Sequence, residues 1–435
     1  MKRLLLIVAL LLVPAAARAE EPLRWWGELR IRGEALGGQF RPGLSPDAEG
    51  LFLRTIIGAE YDAGPLRIGG EIWDSRAYFY PRRSSVSTSE VNALEPVQLY
   101  IASDVSSRAR LLLGRFTLDL GSRRLTARQI FRNTTNVFTG AQLDLKSKAG
   151  DALTLFWTLP DTRLPDDAQG LRDAGVVLDR ARFNTQFFGG VLRTRAFGPG
   201  HVEVALFALD ERDSPGLATR DRRLWTPELR YVAPPRAGKW DGELDLIWQG
   251  GKTRATTLDS DRTDVPVDAW TVHAELGHSF PAPWHPRLSA SFDAASGGVG
   301  RVWRRFDPLF GAAEFDLSLS GLYALLRRDN LLSAEARLEL KPNPAWDGYV
   351  LVRPLWLIEP RDAFGASGVI DTSGASGSFA GTQVDLRARH WIAQRHVRLA
   401  MGYSHLFKGR FLREAPNAPR TGDTRFGYVE LTLTK

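Results

Sequence analysis

The chain contains no cysteine, only two methionines and, among its 57 basic residues, just eight lysines. Without a thiol there is no disulfide scaffold, no thiolate zinc site and no cysteine nucleophile. The shortage of lysine leaves 49 arginines, whose planar forks of donors suit carboxylates and phosphates. After residue 20 no apolar run approaches the roughly 18 residues that a membrane-crossing helix needs. That excludes a helical membrane protein but not a barrel, whose strands need only about 10 alternating residues each. What is present suffices for a large folded body: 435 residues, 43% hydrophobic and 10% aromatic, with 41 glycines. Such a composition is too apolar for a disordered chain.

The first residues read as a secretion signal in three parts. Lys2 and Arg3 form a charged start, Leu4 to Val13 an apolar stretch, and Ala17-Arg18-Ala19 a small-x-small cleavage site. The expected organisation is a signal peptide over residues 1–19 and one domain over 20–435. Cleavage before Glu20 removes three basic residues and lowers the formal charge from +7 to +4.

The remainder alternates with period two. Gly27, Leu29 and Ile31 oppose Glu28, Arg30, Arg32 and Glu34. Leu51, Leu53, Thr55, Ile57, Ala59 and Tyr61 oppose Arg54, Gly58 and Glu60, and Leu66, Ile68, Gly70 and Ile72 oppose Arg67, Glu71 and Trp73. The pattern recurs to Val429-Leu431-Leu433, and it is that of strands with one apolar and one polar face. A secreted sandwich would alternate likewise. The even spread of strands and the Trp and Tyr residues at their ends favour a membrane barrel, with those aromatics as interfacial girdles. Residues assigned to the girdles include Trp25, Trp26, Tyr61, Trp73, Tyr100, Trp157 and Trp225.

Connection lengths count the strands. Eight short Gly-, Pro-, Asp- and Ser-rich turns fall near 62–64, 104–107, 147–150, 196–200, 233–239, 279–286, 341–347 and 392–395. Nine longer polar connections lie between them, including 119–135, 296–330 and 359–381. The count gives 18 strands: an all-β, antiparallel transmembrane β-barrel of the bacterial outer membrane, with an aqueous lumen. The apolar stretch Phe315 to Leu326 is placed inside the 296–330 loop as a short amphipathic helix folded over or into the mouth. The Gly-rich 365–381 segment lacks a following Gly-Lys-Ser and reads as a mobile outer loop.

The polar parity faces the lumen. The candidate pore-lining and anion-binding residues are Arg30, Arg32, Arg54, Arg67, Arg115, Arg124, Arg337, Arg353, Arg387 and Arg389. Acids share that face, among them the Asp241, Glu243, Asp245 ladder, and cross-strand pairing would brace many of the arginines. Arg115 breaks parity with Leu111 and Leu113, which places it at the rim or after a bulge. The seven histidines form no H-E-x-x-H pair, and no G-x-S-x-G elbow occurs. The expectation is therefore a channel and not an enzyme, with no metal and no cofactor. Hydrolysis from scattered residues and a plugged structural or adhesive barrel are the alternatives. Expected partners are anionic oligo- or polysaccharides or other small solutes, outer-membrane lipid and lipopolysaccharide, and periplasmic export proteins. Nucleic acid is not expected, and a closed barrel with no free edge suits a monomer.

The stretch Gly114-Arg115-Phe116-Thr117-Leu118-Asp119-Leu120-Gly121-Ser122-Arg123-Arg124-Leu125 resembles the GR-x-x-L-x-x-G-x-x-RL signature of the alginate-export porin family. Phe306-Asp307-Pro308-Leu309-Phe310-Gly311, Gly381 to Leu386 and Gly402 to Gly409 are similar to later stretches of that family in the same order. The resemblance implies an 18-stranded outer-membrane barrel in a Gram-negative bacterium, with an Arg-rich constriction through which polyuronate moves outward. By motif match the constriction would hold Arg115, Arg124 and Arg353. The chain departs from the family at Phe138-Thr139-Gly140, where Phe-Asp-Gly is usual. It also ends in Lys435, where barrels usually carry an aromatic.

Overall fold

The computed structural model describes residues 22–195, 199–317 and 319–435. The proposed signal segment, and part of the turn near 196–200, lie outside the described residues. Eighteen strands run in chain order. They are β1 (Leu23–Gly37), β2 (Ala48–Asp62), β3 (Leu66–Tyr78), β4 (Asn92–Ser106), β5 (Ala109–Phe116), β6 (Phe138–Lys146), β7 (Ala152–Pro160), β8 (Thr185–Thr194) and β9 (His201–Glu211). They continue as β10 (Arg223–Ala233), β11 (Trp240–Thr253), β12 (Val265–Ser279), β13 (Arg287–Ala295), β14 (Leu331–Asn343), β15 (Trp346–Trp356), β16 (Phe379–Ala393), β17 (Val397–Lys408) and β18 (Thr424–Thr434). Each strand pairs antiparallel with its neighbours, and β1 pairs with both β2 and β18, so the sheet closes. Up-and-down order sends every long connection to one end of the barrel and every short turn to the other. The last residue completes the seam: Gly27 and Lys435 exchange backbone hydrogen bonds of 3.2 and 2.9 Å. The Lys435 ammonium sits 3.8 Å from the centre of the Trp25 ring.

The alternation sorts the two faces. Ile57, Ile72, Leu99, Leu229 and Val429 lie on the outer face, while Arg30, Arg54, Glu71, Asp245 and Glu430 are buried inside. Outward tryptophans mark both ends, with Trp25, Trp240 and Trp346 by the short turns and Trp157, Trp225 and Trp270 toward the long loops. Three aromatics assigned to the girdles belong inside instead. Trp26 and Trp73 both donate to the Glu71 carboxylate, at 2.8 and 2.6 Å, and Tyr100 donates to Glu60 at 2.5 Å. The inward carboxylates of Glu71 and Glu60 supply the acceptors that these indole and phenol groups need when buried. No helix among the described residues is long and apolar enough to cross a membrane. The described helices are short: α1 (Ala168–Asp173) and α2 (Arg410–Glu414) in loops, and one 3-10 turn at Gly365–Ser367.

Candidate functional site

Two loops fold into the lumen: L3, residues 117–137 between β5 and β6, and L7, residues 296–330 between β13 and β14. Apolar side chains carry them inward. Leu118 and Leu125 of L3 and Trp303 and Phe306 of L7 pack with Phe138, Phe187 and Phe207 of the wall. On the other side Leu319, Leu322, Tyr323 and Leu325 pack with Phe40, Phe52 and Phe426. Each such side chain contributes roughly 1.5–3 kcal/mol on burial. The loops also pair with each other. Phe310 donates to the Leu125 carbonyl at 3.0 Å, Ala312 to Arg123 at 3.0 Å and Ala127 to Phe310 at 3.2 Å. Gly311 permits this approach, because a Cβ there would lie 1.9 Å from the Arg124 carbonyl oxygen.

The segment expected as a helix, Phe315 to Leu326, has no helix at its described residues, 315–317 and 319–326, which form turns and irregular backbone instead. Several of its backbone groups are satisfied from outside the segment and not by a helical ladder. Arg41 donates to the carbonyls of Leu322, Tyr323 and Ala324, and the Glu34 carboxylate accepts from the Leu322 amide at 2.8 Å. The Gly-rich 365–381 segment is likewise not a free loop. Phe364 and Val369 are fully buried beside Leu325. The Asp371 carboxylate collects the amides and hydroxyls of Ser373 and Ser376.

Of the ten candidate arginines, Arg30, Arg32 and Arg54 form one group. All are buried, and they grip the tip of L3 by its carbonyls. Arg30 donates to Ile130 at 2.5 Å and Arg132 at 3.2 Å, Arg32 to Phe131 at 2.5 Å, and Arg54 to Ile130 at 2.9 Å. Arg124 and Arg353 join a second group around Asp316 of L7. Arg124 meets Asp316 and Asp245, each at 2.8 Å, and also Glu243. Arg353 meets Asp293 at 3.2 Å and Glu335, and donates to the Asp316 carbonyl at 2.7 Å. Arg328 pairs with the same Asp316. Burial would raise the Asp316 carboxyl, yet Arg328 and Arg124 hold it far below the usual carboxylate range. His273, Asp293 and Asp316 bring ligand atoms within 4.8 Å of one another, but both carboxylates are already engaged by guanidiniums.

Of the other candidates Arg115 and Arg67 lie apart, Arg337 shares Glu335 with Arg353, and Arg387 and Arg389 stand near Arg30 and Arg54 on the lumen wall. Arg115 is the penultimate residue of β5, at the loop end, just after Gly114 at φ 118°. It is held by Glu95, Asp161 and Asp179, not by the Asp316 group. Arg67 pairs with Asp104 beside the short turns. Arg337 meets Glu335 at 2.9 Å, while Arg387 and Arg389 share Asp347.

The paired loops divide the interior. Toward the long loops is an outer cavity of about 570 Å³, lined by loop residues. Eight arginines face it (Arg41, Arg124, Arg132, Arg220, Arg222, Arg305, Arg327 and Arg328) against two acids, Glu90 and Asp307. Toward the turns is an inner cavity of about 460 Å³, lined by Glu28, Arg30, Arg54, Arg387, Arg389, Arg398 and Glu430 of the wall and by both loop tips. Most outer-cavity arginines are ion-paired, as Arg222 with Asp307 at 2.6 Å. Arg41, Arg132 and Arg220 are bound instead by neutral groups. Arg41 holds three carbonyls, Arg132 holds Thr134 and Asn136, and Arg220 holds the Arg254 carbonyl with its guanidinium 3.8 Å from the Trp303 ring centre. Burial pushes Arg41 down to about 10. Burial and neighbouring Arg163 push Arg132 down to about 9, and burial lowers Arg220 as well. A cation so disfavoured gains from an anion. None of these three was a sequence candidate, since parity speaks only for strands and all three sit on loops.

A closed 18-stranded barrel with aromatic girdles, narrowed by loops folded inward, defines an outer-membrane channel. The chain belongs to the alginate-export family, whose model matches residues 27–427. Among solved structures it is similar to OccAB1 of Acinetobacter baumannii, with a TM-score of 0.62 and 12% identity over 95% of this chain and 97% of that one. It is similar to OccK8 (OprE) of Pseudomonas aeruginosa, with a TM-score of 0.62 and 11% identity over 95% and 98%. It is also similar to OccK2 (OpdF) of Pseudomonas aeruginosa, solved in complex with glucuronate, with a TM-score of 0.56 and 14% identity over 95% and 96%. At these identities the likeness concerns the fold. No curated protein matches the chain.

Proposed function

We propose that the barrel conducts anionic saccharides of the uronate class passively across the outer membrane. The observation that carries this reading is the outer cavity, where eight arginines face two acids and three half-buried guanidiniums have no carboxylate partner among the described residues. Carboxylated sugars supply the missing charge in a form that guanidinium forks bind with two parallel bonds. Such binding has to release as well as capture, and the acids of the Asp316 group temper the field so that solute is not held too tightly. The family membership and the glucuronate found in a barrel of the same fold support this choice of solute. The reading involves no chemical step, no metal and no cofactor, and it applies equally to export and uptake.

The test is the reversal potential of the purified barrel in a planar bilayer under a KCl gradient, followed by addition of oligouronates. Anion preference and current block are expected. Arg41→Ala and Arg220→Ala should each weaken the block about tenfold, the worth of one hydrogen-bonded charge contact. Arg67→Ala, at the far end, should leave it unchanged. A cation-preferring pore, or one that oligouronates do not block, overturns the reading.

A further inference from the structure

The tip of L3, residues 130–132, is held through both sides of its backbone. Its carbonyls are gripped by Arg30, Arg32 and Arg54 of the wall. Its three successive amides all donate to one carboxylate, that of Glu314 in L7. Ile130 and Phe131 reach Oε1 at 2.5 and 2.9 Å, and Arg132 reaches Oε2 at 3.2 Å. Consecutive N–H groups converging on one anion form a nest, a concave backbone site whose partial charges are fixed in place. Because wall arginines fix the carbonyls, the amides keep their orientation whichever anion they hold. Such a preorganised site exchanges one occupant for another at little cost.

The nest stands beside the solute space. Ile130, Phe131, Glu314 and Phe315 line the inner cavity together with Arg387 and Arg389. Glu314 also belongs to the L7 stretch that separates this cavity from the outer one. Its carboxylate is the same functional group that a uronate carries.

We propose that the 130–132 nest is a carboxylate-binding site on the conduction path, and that Glu314 is its built-in competitor. An arriving uronate carboxylate takes the three amides, Glu314 swings toward the inner-cavity arginines, and the L7 partition loosens. This rests on the anionic-saccharide reading above. One carboxylate replaces another, so the site's net charge is unchanged and the exchange is close to balanced. That suits a channel, whose sites must release what they bind.

The experiment uses the full barrel in planar bilayers, with Glu314→Ala and Glu314→Gln variants. The probes are D-glucuronate and the neutral methyl glucoside, and heat-modifiable gel mobility checks the fold. Removing the competitor should lower the half-blocking glucuronate concentration about tenfold, the occupancy penalty set by one charge-assisted contact. Methyl glucoside block should not change, and Glu314→Gln should fall between. A Glu314 that merely ties two loops predicts the reverse, weaker glucuronate block in a looser pore. Unchanged or weaker block in Glu314→Ala, with the wild type blocked, overturns the competitor and leaves the solute class standing. Absence of glucuronate block in both proteins overturns the two readings together.

Discussion

Arg353 has no exposed surface and stands between Asp293 and Glu335, themselves buried. Removing one member of such a set leaves charges without a counter-ion in a region that water does not reach. Arg353→Leu is therefore expected to destabilise the barrel by about 3–5 kcal/mol, measured by urea unfolding in lipid vesicles. Arg67→Ala, whose partner Asp104 is exposed, should change stability by less than about 1 kcal/mol. Glu90 gives a pH test at the same scale. It lies in the 79–91 loop, accepts from the Ser87 amide at 2.9 Å, and burial pushes its carboxyl up from 4.5 to about 7. The folded loop thus holds a proton that an open loop would release. Its local stability is fully present below about pH 4.5 and falls by about 3 kcal/mol as pH rises to 7. Hydrogen exchange of residues 85–91, corrected for the intrinsic rate, should show protection falling between pH 5 and 7. Glu90→Gln should flatten that dependence, and an unchanged slope in the variant would assign it elsewhere. Of these residues Arg67 and Arg353 were legible in the sequence as inward-facing, Arg353 also by motif. Glu90 was not, because its burial comes from loop packing that no periodicity records.

The strands were legible as elements because each has its own signal. Alternation marks the faces, and turn residues mark the ends, so that all 18 strands and the inclusion of 315–326 within one loop follow from the chain alone. The loops gave no such signal. Arg115, Arg124 and Arg353 share a motif-based expectation, but only the pairing of L3 with L7 decides that Arg124 and Arg353 converge on Asp316 while Arg115 stays at the rim. Arg30, Arg32 and Arg54 were legible as inward and charged. Their wall partners, Glu28, Glu34 and Glu430, are acids on the strands, but their loop partners, the carbonyls of 130–132, carry no sequence identity to read. The loop pairing is open to test at Gly311. Gly311→Val places side-chain atoms where the Arg124 carbonyl now lies, so L3 and L7 must separate. Single-channel KCl conductance should rise, and deletion of 311–321 should raise it further. A variant with wild-type conductance would mean that the loop pair does not limit the pore, as a surface-acting barrel would require.

At the scale of the whole molecule, the formal charge of +7 over 435 residues is too small to select ions by itself. Selectivity has to come from where the charges sit. Exposed charges at the loop end, such as Arg212 and Arg262, act through water and are screened within about 3 Å in 1 M salt, against about 10 Å in 0.1 M. Arg41, Arg132 and Arg220 act inside a cavity walled by protein, where salt screens far less. The two sources therefore separate with ionic strength. Between 0.1 and 1 M KCl the anion preference should decline but persist, and the persisting part should fall sharply in an Arg41→Ala, Arg220→Ala double variant that keeps its rim charges and Arg132. Reversal potentials at fixed tenfold gradients and rising absolute salt measure this directly. A preference that disappears entirely by 1 M in the wild type would place selection at the exposed rim. In that case the inner arginines would serve to hold the loops in place, and the channel's specificity would reside in its width.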